Sequence, residues 1–169
     1  MANLGHELGT AAGICCLLGD ILKTLLPVLA MARMNPQLAW PVVCAWTGLG
    51  ATLGHDFPFW HGFRGGKGVT TIASTIILMN PLWGILAGVV GVTSIVLTGY
   101  LSVAALIAMG FYVVAAFFTL PVDCVAVSLV FQALQVKAHW SKLVGIHQGT
   151  TRRASMSVRF WEKVRSERR

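Results

Sequence analysis

The chain has 169 residues, of which 56% are hydrophobic and only 11% are charged. A water-soluble domain carries about 25% charged residues, so this composition excludes an ordinary soluble domain and favours a protein that lies in lipid. The formal net charge is +7, and most of the Lys and Arg residues lie from Lys137 onward. A basic tail after the last apolar segment indicates the cytoplasmic side of a membrane. We expect this tail to meet anionic lipid and not nucleic acid.

Apolar segments separated by short polar turns follow one another along the chain. They lie at about 11–32, 37–53, 69–79, 82–97, 104–119 and 122–136. A helix needs about 20 residues to cross a bilayer, so the third segment is too short to cross comfortably. The sequence therefore predicts an all-α integral membrane protein with about six transmembrane helices, one of them short or re-entrant. It predicts a membrane domain at residues 1–138 and a basic cytoplasmic tail at residues 139–169.

Two charged residues, Asp20 and Lys23, lie inside the first apolar segment. At a spacing of i, i+3 they occupy one helix face and can form an ion pair, which lowers the cost of keeping both charges in a bilayer. Two interpretations stay open from the residues alone. The pair is either an internal contact that fixes helix packing or a direct contact with a substrate.

The longest polar interval, residues 54–68, ends in Gly65-Gly66-Lys67-Gly68. Glycines let the backbone approach a ligand and turn successive N–H groups toward an anion. The helix that follows would present its first free amides to the same anion. We therefore predict a phosphate-binding site, with a point charge from Lys67 and a guanidinium fork from Arg64. Alternatively, Arg64 only anchors the chain at the cytoplasmic face.

Counting spans backward from the basic tail assigns each polar connection to one side of the membrane. The connections rich in His, Lys and Ser fall on the cytoplasmic side, together with the tail. These connections are residues 1–10, 54–68 and 99–102. The other turns are short and almost uncharged. The sequence therefore predicts that its polar groups meet at the cytoplasmic face.

Three other kinds of site fit the sequence less well. A nucleotide-binding P-loop needs Gly at position 61 and Ser or Thr at position 68, where this chain has His61 and Gly68. The H-x-x-x-x-D motif of one acyltransferase family does not occur at any histidine of the chain. A zinc site from His55, Asp56 and His61 lacks a standard spacing. We expect neither a metal nor a cofactor.

The long motif around the glycines is specific. It reads Gly54-His55-x-Phe57-Pro58, then Phe63-Arg64-Gly65-Gly66-Lys67-Gly68-Val69-Thr70-Thr71. It resembles the G-H-x-F-P…F-K-G-G-K-G-V-A-T signature of the bacterial acyl-phosphate:glycerol-3-phosphate acyltransferases, the PlsY family. Weaker matches follow the family's order at Asp20-Ile21-Leu22-Lys23 with Pro27, Tyr100-Leu101-Ser102, and His139 with Gly149-Thr150.

The resemblance implies transfer of a fatty acyl group from acyl phosphate to glycerol 3-phosphate, which yields lysophosphatidate and phosphate in phospholipid biosynthesis. It implies that Lys67 stabilises the leaving phosphate, together with the loop amides. The hydroxyl proton would go to His139, to His55 or to a substrate phosphate. The expected phosphate-binding set is Gly65, Gly66, Gly68, Arg64, Ser102, Asn3 and Lys23. The expected partners are acyl phosphate, glycerol 3-phosphate and membrane lipid, in a bacterial plasma membrane with the C-terminus in the cytoplasm.

The chain also departs from the family pattern. Gly99 stands where the family has Arg before Tyr-x-Ser, and Lys142, Gly145 and Thr151 replace its C-terminal Asn, Arg and Glu. The family begins with one more helix and a G-S-G-N-x-G-x-x-N segment, whose end aligns with the first residues of this chain. We hypothesise that Met1 is an internal codon or the start of a truncated product. Two alternatives follow: a catalytically inactive protein of this fold, and, from the charged pair in the first segment, a small transporter.

Overall fold

The computed structural model describes residues 9–151 and, beyond them, residues 153, 154, 157, 158, 160, 161 and 166. Within this part of the chain there are six α-helices and no β-strand. The helices are α1 (Thr10–Met34), α2 (Trp40–Asp56), α3 (Val69–Met79), α4 (Pro81–Thr98), α5 (Leu101–Thr119) and α6 (Val122–His147), with a 3-10 turn at Phe59–His61. The predicted all-α fold is confirmed.

Proline and glycine mark most of the helix ends. Pro41 lies in the first turn of α2, and Pro81 begins α4, because proline lacks the N–H that the first turn of a helix leaves unpaired. Gly68 precedes α3 with φ 62°, and Gly99 separates α4 from α5 with φ 80°. Glycine adopts this left-handed conformation without steric cost. The short α3 therefore begins and ends where the sequence predicts.

The last helix is longer than its apolar stretch. α6 continues to His147, whereas the apolar pattern ends at Val136. Residues 137–147 are polar or mixed, so hydropathy alone does not show that the helix continues through them. The predicted boundary between membrane domain and tail, at residues 138 and 139, falls inside α6, and the division into those two parts stays a prediction.

The chain forms two compact units, Met1–Pro81 and Leu82–Arg169. In the first unit α1, α2 and α3 pack against one another. Gly48 allows α2 to approach α3 closely, because a Cβ there would lie 2.2 Å from Thr75 Cγ2. In the second unit α5 packs against α6, and its fully buried side chains include Tyr112 and Phe131.

Several helices present large apolar side chains on their outer surfaces. Within the described residues, α1, α4 and α5 are long and apolar enough to cross a membrane. Exposed apolar residues on these helices include Leu26, Leu82, Leu97 and Phe118. Helices satisfy their own backbone hydrogen bonds, so such surfaces are stable in lipid. The fold is that of a multi-pass membrane protein.

Candidate active site

The glycine-rich loop folds back over the carboxyl end of α2. The N–H of Gly65 donates to the carbonyl of Asp56 at 3.0 Å, and the N–H of Gly66 donates to the carbonyl of His55 at 3.1 Å. The last carbonyls of a helix have no partner within the helix. The loop supplies donors for two of them, and this fixes the loop at the end of α2.

Close packing explains why this loop consists of glycines. A Cβ on Gly65 would lie 2.1 Å from the backbone oxygen of His55, and a Cβ on Gly66 would lie 1.9 Å from His55 Nε2. At Gly68 both the positive φ and the carboxylate of Asp56, 2.9 Å from the Cβ position, oppose a side chain. The glycines at positions 65 and 66 are therefore needed for contact with α2, whatever ligand the loop also meets.

The charged pair predicted in the first apolar segment is present. Lys23 Nζ donates a hydrogen bond to Asp20 Oδ1 at 2.6 Å, and it also contacts His55 Nδ1. An ammonium group can only donate, so His55 accepts through Nδ1 and carries its own proton on Nε2. This contact joins α1 to the end of α2.

A cavity of about 430 Å³, called the cationic cavity below, lies beside these groups. Lys23, His55, His61 and Arg64 contribute its titratable side chains, and no carboxylate lines it. The remaining lining residues are Ala51, Gly54, Pro58, Trp60 and Gly65. A concave surface with cationic side chains attracts an anion, and the guanidinium of Arg64 can bind two oxygens of one phosphate.

An apolar groove of about 430 Å³ lies between α1 and α2. Its lining residues are Lys23, Pro27, Met31, Trp46, Thr47, Gly50 and Ala51. Lys23 and Ala51 line both the groove and the cationic cavity. The two spaces therefore meet at Lys23, where an apolar chain in the groove would reach cationic groups.

The structure brings together part of the predicted site. Lys23, His55, Arg64 and Gly65 line one cavity, and Gly66 and Gly68 lie in the same loop. Lys67 is at an exposed position of this loop, outside the lining of the cavity. Ser102 and His139 belong to the second unit, where both are buried. Asn3 lies outside the described residues.

Sequence reasoning missed two features of the first unit. Asp56 is only 7% exposed, and its Oδ1 has no hydrogen-bond partner within the described part of the chain. Trp46 and Met31 line the groove, although the sequence around each of them reads only as part of an apolar helix. The pair Trp46 and Gly50, one helical turn apart, is the sequence signal of a groove, since a large side chain then stands beside an open position.

The family model for glycerol-3-phosphate acyltransferase matches residues 1–149. The chain belongs to the glycerol-3-phosphate acyltransferase family. A family member from Shouchella clausii is 34% identical over an alignment of 154 residues, and the match covers 88% of this chain and 74% of the relative. One from Halalkalibacterium halodurans is 32% identical over the same shares of both chains. The family resemblance seen in the motifs is confirmed.

Solved structures of the family have the same fold. A crystal structure of PlsY, an integral membrane glycerol 3-phosphate acyltransferase, in its lysophosphatidic acid form matches with a TM-score of 0.82 and 26% identity, over 92% of this chain and 79% of that chain. The glycerol 3-phosphate form matches with a TM-score of 0.81 and 27% identity, over 94% and 80%. The chain is therefore an integral membrane acyltransferase of this family.

Proposed function

We propose that this protein transfers a fatty acyl group from acyl phosphate to glycerol 3-phosphate, at the cytoplasmic face of a bacterial plasma membrane. One observation carries the proposal: the apolar groove and the cationic cavity meet at Lys23 and Ala51. Acyl phosphate has the same two parts, an apolar chain and an anionic group joined at one carbonyl carbon. The chain would lie in the groove and the phosphate in the cavity.

The reaction needs orientation and charge stabilisation more than covalent catalysis. The acceptor hydroxyl oxygen forms a bond to the carbonyl carbon, and the bond from that carbon to the phosphate oxygen breaks. Lysophosphatidate and inorganic phosphate are the products. Cationic groups fixed near the phosphate stabilise the charge that develops on it as it leaves. Lys23 and Arg64 line the cavity, and we assign them this role together with Lys67 of the loop.

The hydroxyl proton must go to a base. His55 accepts from Lys23 through Nδ1, so its protonated Nε2 makes it a hydrogen-bond donor in this arrangement. As a base it would first have to lose the contact with Lys23, because that contact occupies its one unprotonated ring nitrogen. We therefore propose that His55 orients an oxygen of the substrate, and that the proton goes to His139 or to the leaving phosphate.

The proposal is tested with the full chain purified in detergent, supplied with palmitoyl phosphate and glycerol 3-phosphate. Release of phosphate and formation of lysophosphatidate are measured together. We expect Arg64→Gln and Lys67→Ala to lower kcat/KM at least tenfold, since each removes a charged hydrogen bond of about 1.5–3 kcal/mol. Arg33→Gln, at the exposed end of α1, is the matched control and should be as active as wild type.

Two outcomes would contradict parts of this proposal. If Lys67→Ala is as active as wild type, Lys67 has no role in the reaction. If wild type forms no lysophosphatidate, the chain is a non-catalytic member of the family, as the substitutions at Gly99, Lys142 and Thr151 suggest.

A further inference from the structure

In the second unit, residues of the C-terminal tail cap the end of α4. The backbone oxygen of Val96 accepts hydrogen bonds from Ser157 Oγ at 3.0 Å and from Trp161 Nε1 at 3.1 Å. The N–H of Ala154 donates to the oxygen of Gly99 at 2.7 Å. Carbonyls in the last turn of a helix lack partners within the helix, so the tail satisfies groups that would otherwise need water. This fixes the tail at the turn between α4 and α5.

The side chain of Arg153 lies across the face of Gly99. Its Cβ, Cγ and Cδ are 3.2–3.3 Å from the place where a Cβ on Gly99 would be. Its guanidinium carbon is 6.0 Å from the ring centroid of Tyr100, at the outer limit of a cation–π contact. Gly99 thus provides the space that the arginine stem occupies, and Tyr100 supports the charged head.

Among the residues that the structure describes, no carboxylate pairs with the guanidinium held at this turn. Arg153 is exposed, and the ion pairs among the described residues do not include it. Its head group offers five N–H donors in a planar fork that matches a phosphate. Fixing an arginine side chain costs conformational entropy. The contacts with Gly99 and Tyr100 already restrict this side chain. It therefore loses less entropy when it binds an anion, which favours binding.

We propose that Arg153 is a phosphate-binding residue of this acyltransferase, supplied by the C-terminal tail to the Tyr100-Leu101-Ser102 segment. The inference rests on the proposed function. The sequence agrees with it, because the family pattern has an arginine immediately before Tyr-x-Ser, where this chain has Gly99. A guanidinium that enters from the tail restores that charge without a side chain at position 99. The ligand is a phosphate group, and both substrates carry one. In glycerol 3-phosphate it is a phosphate monoester, and in the acyl donor it is an acyl phosphate.

The test compares Arg153→Gln and Arg153→Lys with wild type, using the full chain in detergent. KM is measured separately for glycerol 3-phosphate and for palmitoyl phosphate, and the substrate whose KM changes is the one that Arg153 binds. We expect Arg153→Gln to raise that KM at least tenfold and to change kcat less than threefold, whereas Arg153→Lys gives a smaller rise. Arg33→Gln removes one charge elsewhere and should leave both KM values within twofold of wild type.

A second readout does not depend on turnover. The thermal midpoint is measured with added inorganic phosphate, glycerol 3-phosphate or lysophosphatidate. We expect at least one of these ligands to raise the thermal midpoint of wild type. The same ligand should raise the thermal midpoint of Arg153→Gln much less. Equal protection of the two proteins, or protection of neither, would overturn the inference. A wild type that is protected more than Arg153→Gln but forms no lysophosphatidate would overturn the proposed function, while phosphate binding by Arg153 would still be supported.

A purely structural role of Arg153 predicts a different result. Ser157→Ala removes a hydrogen bond from the tail to α4 but no charge, and it should lower the thermal midpoint without ligand. Arg153→Gln keeps the first methylenes over Gly99, so we expect its midpoint without ligand to stay close to that of wild type. If Arg153→Gln instead lowers the midpoint as much as Ser157→Ala and leaves KM unchanged, Arg153 only holds the tail in place.

Discussion

The imidazole of His55 packs directly against the backbone of Gly66. A Cβ on Gly66 would lie 1.9 Å from His55 Nε2, and the N–H of Gly66 donates to the backbone oxygen of His55. The other ring nitrogen of His55 contacts Lys23, which pairs with Asp20. The loop, the end of α2 and the charged pair of α1 therefore form one connected structure.

This packing predicts a graded effect of alanine in the glycines of the first unit. Gly65→Ala should be the most damaging, because its Cβ would meet backbone oxygens that cannot move alone. Gly66→Ala should cost less stability, since the ring of His55 can move at the cost of its contact with Lys23. Overpacking costs about 1–3 kcal/mol of unfolding free energy, and we expect both variants to lose an amount within or above this range. Unfolding in detergent and initial rates measure both effects.

Gly54→Ala is the matched control for the stability measurements of this series; its rate is not compared, because Gly54 lines the cavity. No atom lies within 4 Å of its Cβ position, so this helical glycine should accept alanine with a gain of about 0.5–1 kcal/mol. If Gly54→Ala and Gly65→Ala have equal effects, the close approach of loop and helix does not exist in solution.

Variants of the charged pair distinguish the two interpretations that the sequence left open. Lys23 lines both the groove and the cavity, whereas Asp20 lines neither. Lys23→Met should therefore lower kcat/KM about ten- to a hundredfold, since a charged hydrogen bond contributes about 1.5–3 kcal/mol. Asp20→Asn keeps the cation and should lower kcat/KM less than tenfold. Steady-state kinetics with both substrates measure the difference.

The same pair should show thermodynamic coupling. Removing one partner leaves the other charge within the protein without its counterion, so the double variant should be less destabilised than the sum of the single variants. The kinetic measurements have their own contrary outcome. If both single variants lose the same activity, the pair acts only through helix packing.

The apolar groove predicts a change in acyl-chain preference. Gly50 lines the groove and has open space at its Cβ position, so Gly50→Leu should fill part of the groove without distorting α2. Each methylene of the acyl chain that is displaced from the groove costs about 0.8 kcal/mol of binding free energy. We expect KM for palmitoyl phosphate to rise tenfold or more, and KM for octanoyl phosphate to change little. Competition between the two donors measures this preference.

Gly19→Leu is the control for the groove variant. Gly19 also has open space around it, but it lies on α1 outside the groove lining. If Gly19→Leu and Gly50→Leu change chain preference equally, the groove does not hold the acyl chain.

The loop also contains a strained residue. Among the described residues, Phe63 is the one non-glycine residue with positive φ, at 59°. The left-handed conformation costs an ordinary residue about 1–2 kcal/mol, and Phe63 is 66% exposed. Phe63→Gly should therefore raise the unfolding free energy in detergent by about 1 kcal/mol, once the greater freedom of glycine in the unfolded chain is counted.

Phe59→Gly provides the comparison for this variant. Phe59 is similarly exposed and lies in the 3-10 turn without positive φ. Its replacement relieves no strain and should lower stability. A stability gain in Phe59→Gly that equals the gain in Phe63→Gly would show that the loop is not strained at Phe63.

Local patterns of the sequence were sufficient for several features. The ends of α3 follow from Gly68 and Pro81, and the Asp20–Lys23 pair follows from one helical turn. The family follows from the long motif that starts at Gly54. Each of these depends on neighbours along the chain, where spacing alone decides which groups can meet. The end of α6 was not predictable, because its last turns are polar.

Contacts between distant parts of the chain were decided by the tertiary structure. Lys23 and His55 are 32 residues apart, and nothing in either segment indicates that they touch. From the sequence, the loop glycines are explained by the close approach of a ligand. In the structure, packing against α2 already requires two of them. The position of Arg153 over Gly99 depends on the path of the tail after α6. The sequence by itself therefore determined the helices, the family and the local ion pair, and the packing of remote segments decided which side chains share a cavity.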